Sequence, residues 1–389
     1  MAITLKRIFH PIGQGAFFTE QLLDSSIGKI VANVVYDCGS LSTGIKSKIM
    51  HEIDESFKDK KSIDALFLSH FDDDHINYVE YLCSQHYMDG AKLFVPLLVE
   101  NKYLEATFIK NNYDSIFELA RKHSIQVVKV NFDNDDSNPN ATPVAFDEVH
   151  DTIESGAKLI IKEYPIWYWV PFNIINNELV KDFEDKLKSA GLYYNKLDSD
   201  DEYVKDNIRE LKNVYRALIK MKGAGYGTAI NLNSLQMLSY PASPNYCTDY
   251  ARTTVCDSYF SDYYKWNRGY MKYMFAEKEN LYPGSCLYTG DTSSNSPFIW
   301  KTLMNKIDQY LKAHLVLFQI PHHGSKHSND ERIVDEDRIY AAFTNFDPNY
   351  WQKIYDPNIN LQFYLHQKPL ILVTNDDSLI FEESWILHI

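Results

Sequence analysis

The chain has 389 residues, with 45% hydrophobic and 14% aromatic residues and a formal net charge of −14. That supports a sizeable core, and an acidic chain of this kind excludes non-specific polyanion binding unless a site is locally positive. Five scattered cysteines without a C-x-x-C argue against a disulfide framework or a thiolate zinc knuckle, and point to a reducing cytoplasm. The first residues show no signal peptide, and no run of about 18 apolar residues suggests a membrane span.

In chain order, Thr4–Ile8, Ala16–Leu22 and Lys29–Asp37 read as strands, with a Gly13-Gln14-Gly15 turn after the first. Ile45–Phe57 reads as a helix and Ile63–Ser69 (IDALFLS) as a buried strand. After His75, the apolar residues Ile76, Val79 and Cys83 recur at helical spacing. Ala91–Val95 and Ile125–Val130 are predicted strands around a helix near Tyr103–His123, and Leu159–Phe172 is apolar and aromatic. Charged residues 174–224 read as a helical insertion, and 241–281 as a second, Tyr- and Asp-rich one. Between them Thr228–Ser239 is a predicted strand. Strands at Ser285–Thr289, His314–Ile320, Arg338–Asn345, Leu370–Thr374 and Leu379–Phe381, with a helix at Pro297–Leu311, complete an α/β or layered α+β pattern in one domain, 1–389.

Three clusters follow apolar strands: FLSHFDDDH (67–75), LYTGDTS (287–293) and FQIPHHGSKHS (318–328). Strand ends project side chains from a rigid scaffold, where sites are usually built. Ionisable groups there are costly to desolvate unless paired or metal-bound. FDDDH alone also suits a solvated turn or a helix N-cap. The three together point to one or two metal ions. Imidazole suits zinc, iron or manganese, and the carboxylates favour the harder ions of that set.

The set resembles the metallo-β-lactamase superfamily, and more closely the ComEC-type hydrolase domain and its soluble relatives. The resemblance rests on Gly13-Gln14-Gly15, Asp37-Cys38-Gly39, His70 to His75, Asn231-Leu232-Asn233-Ser234-Leu235, Thr289-Gly290-Asp291, Pro321 to Ser325 and ILVTNDDSLIF at 371–381. It implies an α+β fold, an αββα four-layer sandwich interrupted by the two insertions. It implies two divalent metal ions, zinc or manganese with iron as a third choice: His70 and Asp72 at the first, Asp74, His75 and His323 at the second, and Asp291 bridging. Asp72 stands where many members carry His, and Asn233 lies in the strand where another histidine ligand would be expected. Asp37 is the natural outer partner of a ligand histidine. A metal-bound hydroxide oriented by Asp74 would attack the substrate, with His322, Lys326 and His327 contacting a phosphate or protonating a leaving group. The favoured substrate is a phosphodiester, with nucleic acid admitted as a partner through a local Lys301, Lys306, Lys312 and Lys326 patch. Small-molecule ester, lactone or amide hydrolysis is the second reading. A metal-poor module binding a protein partner through the insertions is the third.

Overall fold

The computed structural model describes residues 2–59, 62–97, 112–133, 138–174, 177–196, 202–203, 206–207, 209–211, 213–214, 234–255, 281–292, 296–325, 329, 332–335, 338–345, 347, 356–366, 368, 370–375 and 381–388. The strands are β1 (Ala2–Phe9), β2 (Gly15–Asp24), β3 (Lys29–Ser40), β4 (Ala65–Phe67), β5 (Lys92–Pro96), β6 (Gln126–Val130), β7 (Val144–Ala145), β8 (Thr152–Ile153), β9 (Leu159–Ile161) and β10 (Tyr164–Phe172). They continue as β11 (Gln236–Pro241), β12 (Cys247–Val255), β13 (Leu281–Tyr288), β14 (His314–Gln319), β15 (Ile339–Asn345), β16 (Leu370–Val373) and β17 (Phe381–His388). The helices are α1 (Lys46–Phe57), α2 (Asp73–Ile76), α3 (Val79–Ser84), α4 (Asn112–Lys122), α5 (Asn177–Ser189), α6 (Pro297–Leu311), α7 (Arg332–Asp335) and α8 (Pro357–Leu365).

Two mixed sheets form. One runs β12-β17-β1-β2-β3-β4-β5-β6-β8, the other β16-β15-β14-β13-β11-β10-β9-β7. Their facing sides share one buried cluster, with Phe9, Phe18, Tyr36 and Phe67 from the first sheet and Trp167, Trp169, Tyr288 and Phe343 from the second. The outer side of the first sheet packs on α1, α3 and α4 through Ile49, Ile53, Leu82 and Ile116. The outer side of the second packs on α6, α7 and α8 through Leu303, Ile307, Ile333 and Phe363. Three apolar seams separate four layers, helix–sheet–sheet–helix, as the resemblance implied. Each fully buried Phe or Leu contributes about 1.5–3 kcal/mol, so these seams dominate the fold's stability.

The inter-sheet seam also holds charge. Arg7 is fully buried, with Nε 2.7 Å from Glu20 Oε1, Nη2 3.0 Å from the Gly284 carbonyl, and Nη1 on Glu383. Glu20 further accepts from Trp169 Nε1 at 2.7 Å, Ser239 Oγ at 2.6 Å and Tyr288 OH at 2.8 Å, tying both sheets together.

Most predicted elements appear within a few residues of their expected bounds, and α6 keeps them unchanged. Three differ. The buried strand predicted from Ile63 shortens to β4, because Asp64 accepts from Asn33 N and the chain leaves the sheet at Leu68. Part of the second insertion is β12, paired antiparallel with β17 at the sheet edge. The strand predicted from Thr228 is β11 from Gln236; residues 228–233, with Asn231 and Asn233, lie outside the described residues. Among the described residues no helix is long and apolar enough to cross a membrane.

Candidate metal centre

The three clusters converge at the C-terminal ends of β3, β4, β13 and β14. His70 and the short helix α2 follow β4, Gly290-Asp291 follow β13, and Pro321 to Ser325 follow β14. Backbone contacts tie the clusters together here: Leu235 N donates across the two sheets to Ser69 O at 2.8 Å, and His322 N donates to Gly290 O, at the end of the neighbouring strand, at 3.0 Å.

Glycines make the convergence sterically feasible. A Cβ on Gly39 would lie 2.5 Å from the backbone of Asp74, His75 and Ile76. One on Gly290, at φ +55°, would lie 2.4 Å from Ser69 Cβ. One on Gly15 would lie 2.1 Å from the Gly39 carbonyl oxygen. The DCG, TGD and GQG glycines are therefore the surfaces against which the His70–His75 loop closes.

Asp291 is the centre of the donor set. Its Oδ2 lies 3.6 Å from His70 Nε2 and 3.5 Å from His322 Nε2. Its Oδ1 lies 3.2 Å from His75 Nε2 and 3.9 Å from His323 Nε2. Asp74 Oδ2 lies 3.4 Å from His323 Nε2, and Asp72 Oδ2 lies 3.9 Å from His70 Nε2. Two sets have ligand atoms all within 4.8 Å of one another: His70, His75, Asp291 and Asp74, His75, His323. Asp72 sits at the N-cap of α2, yet its side chain makes no capping hydrogen bond. Asp73 is exposed.

The outer atoms fix the histidines. His75 Nδ1 is 2.8 Å from Asp37 Oδ2, and Ser69 Oγ donates to the same oxygen at 2.7 Å. His70 Nδ1 lies 2.9 Å from Ser69 Oγ. In the neutral form of each ring, with the proton on Nδ1, the Nε2 lone pair faces inward. Nε2 of His70, His75 and His323 is buried and has no hydrogen-bond partner among the described residues. Two donors about 2.0–2.1 Å from one tetrahedral ion stand roughly 3.3 Å apart, so this set fits metal ions.

The electrostatics agree. Burial, helped by neighbouring His75, pushes the His70 pKa down to about 4, which leaves its nitrogen free to ligate. Burial would lower His75 too, but Asp291, Asp37 and Asp74 outweigh it and raise its pKa. Burial would raise Asp291, yet His322, His75 and His70 hold it well below the usual carboxylate range. Asp74 falls to about 2 because His75 and His323 outweigh its burial. The cluster thus favours positive charge at its middle.

The structure brings together His70, Asp74, His75, Asp291, His322 and His323, with Asp72 at the rim and Asp37 behind. Lys326 and His327 lie outside the described residues. Lys306 does not join a surface patch: it is buried, 2.9 Å from Asp133 Oδ1, because the inward side of α6 carries it against the loop after β6. Sequence reasoning missed Ser69 and Gln319. Gln319 Oε1 accepts from Thr289 N at 2.8 Å and Gly290 N at 3.1 Å, which shapes the turn before Asp291. Its place as the last residue of β14, inside an apolar strand, was the available signal.

An αββα sandwich with such a cluster at its strand ends is consistent with the metallo-β-lactamase-type architecture that the resemblance implied. No family model matches the chain, and no curated protein matches it significantly. Among solved structures it is similar to the metallo-β-lactamase fold protein YhfI from Bacillus subtilis, at 10% identity over 97% of this chain and 99% of that one, TM-score 0.36. It is similar to a long form RNase Z from yeast at 11% identity, over 97% of this chain but 41% of that one, TM-score 0.37. It is also similar to the metallo-β-lactamase MIM-1 from Novosphingobium pentaromativorans, at 9% identity over 89% of this chain and 80% of that one, TM-score 0.25. At TM-scores of 0.25 to 0.37 none of these likenesses carries an argument about this chain.

Proposed function

We propose that the protein is a metal-dependent hydrolase, with a phosphodiester as its substrate class: a nuclease or a nucleotide phosphodiesterase. The observation that carries the reading is the trio of buried, unbonded imidazole Nε2 atoms turned toward carboxylates. In this reading His70 and Asp72 hold a first ion, Asp74, His75 and His323 a second, and Asp291 lies between them. Zinc or manganese suits the donors, with iron also compatible. When bound, the ions would supply charge neutralisation and lower the pKa of a water.

The chain's own residues do the rest. Asp37 retains the Nδ1 proton of His75, and Ser69 that of His70, so neither ring can turn. Asp72 and His322 have side chains 23% exposed, whereas His70, His75, Asp291 and His323 are nearly closed off. Substrate therefore approaches from the side of Asp72 and His322. His322 is placed there to contact a phosphate oxygen or to give a proton to the leaving group, with Lys326 and His327 assigned the same task from their sequence position.

One observation favours the second reading, a small-molecule ester, lactone or amide hydrolase. The burial of Lys306 removes a cation from the patch on which nucleic-acid binding would depend. The free, buried Cys38, Cys83 and Cys286 support a reducing compartment, the cytoplasm.

The test is metal analysis with assays on a model phosphodiester and on a lactone, for wild type, Asp291→Ala and His323→Ala. Two metal equivalents and phosphodiester turnover lost in both variants support the first reading. Lactone turnover alone moves the assignment to the second. Protein that takes up no metal and has equal activity in all three forms would sink both, and leave the partner-binding module.

A further inference from the structure

His322 and His323 are consecutive residues in the left-handed region, at φ +51° and +52°. Residues with a Cβ persist there only where their surroundings over-determine the backbone. The strain bears on function, because this conformation aims His322 Nε2 at one oxygen of Asp291 and His323 Nε2 at the other.

The loop is held from several sides. His322 N donates to Gly290 O at 3.0 Å, and Asp356 N donates to Gly324 O at 2.9 Å. The side-chain contribution comes from Asn329. Its Nδ2 donates to Pro321 O and to Ser325 O, both at 2.9 Å. Those carbonyls bracket His322, His323 and Gly324, so one amide closes the strained segment from both ends. Asn329 is only 9% exposed and lines a cavity of about 300 Å³ with Ile320, Ile333 and Asp356. Its Oδ1 is buried and has no hydrogen-bond partner among the described residues. The two bonds that this amide donates, one to each end of the strained segment, are what it contributes to the loop. Aspartate could not donate at all, and leucine would fill the space without holding either carbonyl.

We propose that Asn329 is a positioning residue: it locks the His322–His323 pair in its left-handed conformation and so sets the metal position that includes His323. The inference rests on the metal-hydrolase reading above.

The test is cobalt(II) titration, followed by visible absorption and calorimetry, on the full chain. Wild type is expected to take two equivalents. Asn329→Ala should weaken one of them by about 10–100-fold, with a changed absorption spectrum, and leave the other nearly unmoved. The same substitution is then made in a His322→Gly background, where glycine adopts positive φ without steric cost. There the effect of Asn329→Ala should fall below about tenfold, the lower end of that range, because only His323 still has to be held at positive φ.

An Asn329→Ala protein that binds both equivalents like wild type overturns the proposal. So does a loss of equal size in both backgrounds, which marks a packing role. If Asn329→Ala does not fold, Asn329→Asp, which keeps the shape and loses both donors, replaces it with the same expectations. A wild type that takes up no metal removes the hydrolase reading, and this inference with it. Metal uptake by wild type with no effect of Asn329 removes the inference alone.

Discussion

Asp37 Oδ2 and His75 Nδ1 meet at 2.8 Å, with both side chains fully shielded from water. Asp37 reaches that position through a left-handed backbone, at φ +56°, and its other oxygen accepts from Ser69 N at 2.7 Å. One carboxylate thus orients a histidine and anchors the strand end that carries His70. Asp37→Asn keeps the shape and removes the charge. It should weaken metal uptake by about 10–100-fold, in line with other outer partners of ligand histidines. Metal titration of the purified variant checks this, and unchanged affinity would refute the role.

The close glycines predict a separable failure. Gly39→Ala and Gly290→Ala should cost about 1–3 kcal/mol of stability, typical of overpacking. Both should also lower metal affinity at least tenfold while the far-ultraviolet spectrum stays native. Denaturant unfolding and metal titration together decide it. Normal metal uptake in either variant would show that the loop can retreat from the added methyl group.

The buried Arg7 cluster makes a prediction with a sign. Burial raises the Glu383 pKa, and Arg7 opposes it only in part. A raised folded pKa means stability that is present below the unfolded value near 4.5 and lost as pH rises through the folded value. Glu383→Gln should therefore gain on wild type as pH goes from 4 to 8. Glu20→Gln tests the other carboxylate of the cluster, on which four donors from Arg7, Trp169, Ser239 and Tyr288 converge. Breaking that pairing should cost about 3–5 kcal/mol. Urea unfolding of both variants at the two pH values measures the difference.

His10 gives the opposite slope. It stacks on Phe17 with centroids 4.1 Å apart, and its Nε2 meets Thr19 Oγ1 at 2.9 Å. Burial lowers its pKa against the pull of Glu52. The folded chain keeps His10 neutral while the unfolded chain binds a proton near pH 6.5, so its contribution is lost as pH falls from 6.5 towards the folded value. The Tm advantage of wild type over His10→Gln, measured with chelator present, should shrink between pH 8 and pH 5. A constant gap would mean that His10 does not titrate on unfolding.

Much of the site could be read from short segments. An apolar strand followed by ionisable residues is a local pattern, and it named His70, Asp74, His75, Asp291 and His323, which the fold gathers around one carboxylate. It also named Asp37, because an acid at a strand end is visible in sequence. What could not be read were partners chosen by packing. Ser69 sits beside His70 in sequence, but its hydroxyl matters because Asp37 lies 2.7 Å away across β3 and β4. Lys306 looks like a solvated helix lysine until Asp133 faces it.

Periodicity and residue chemistry by themselves determined the elements, their apolar faces and the residue types able to bind metal. Only tertiary structure decided that β1 pairs with β17 from the other end of the chain, that part of an acidic insertion extends the sheet as β12, and which oxygen of Asp291 faces which histidine. The reason is range. Helix and strand patterns arise from neighbours a few residues apart, whereas these contacts are selected by burial and charge pairing between segments hundreds of residues apart.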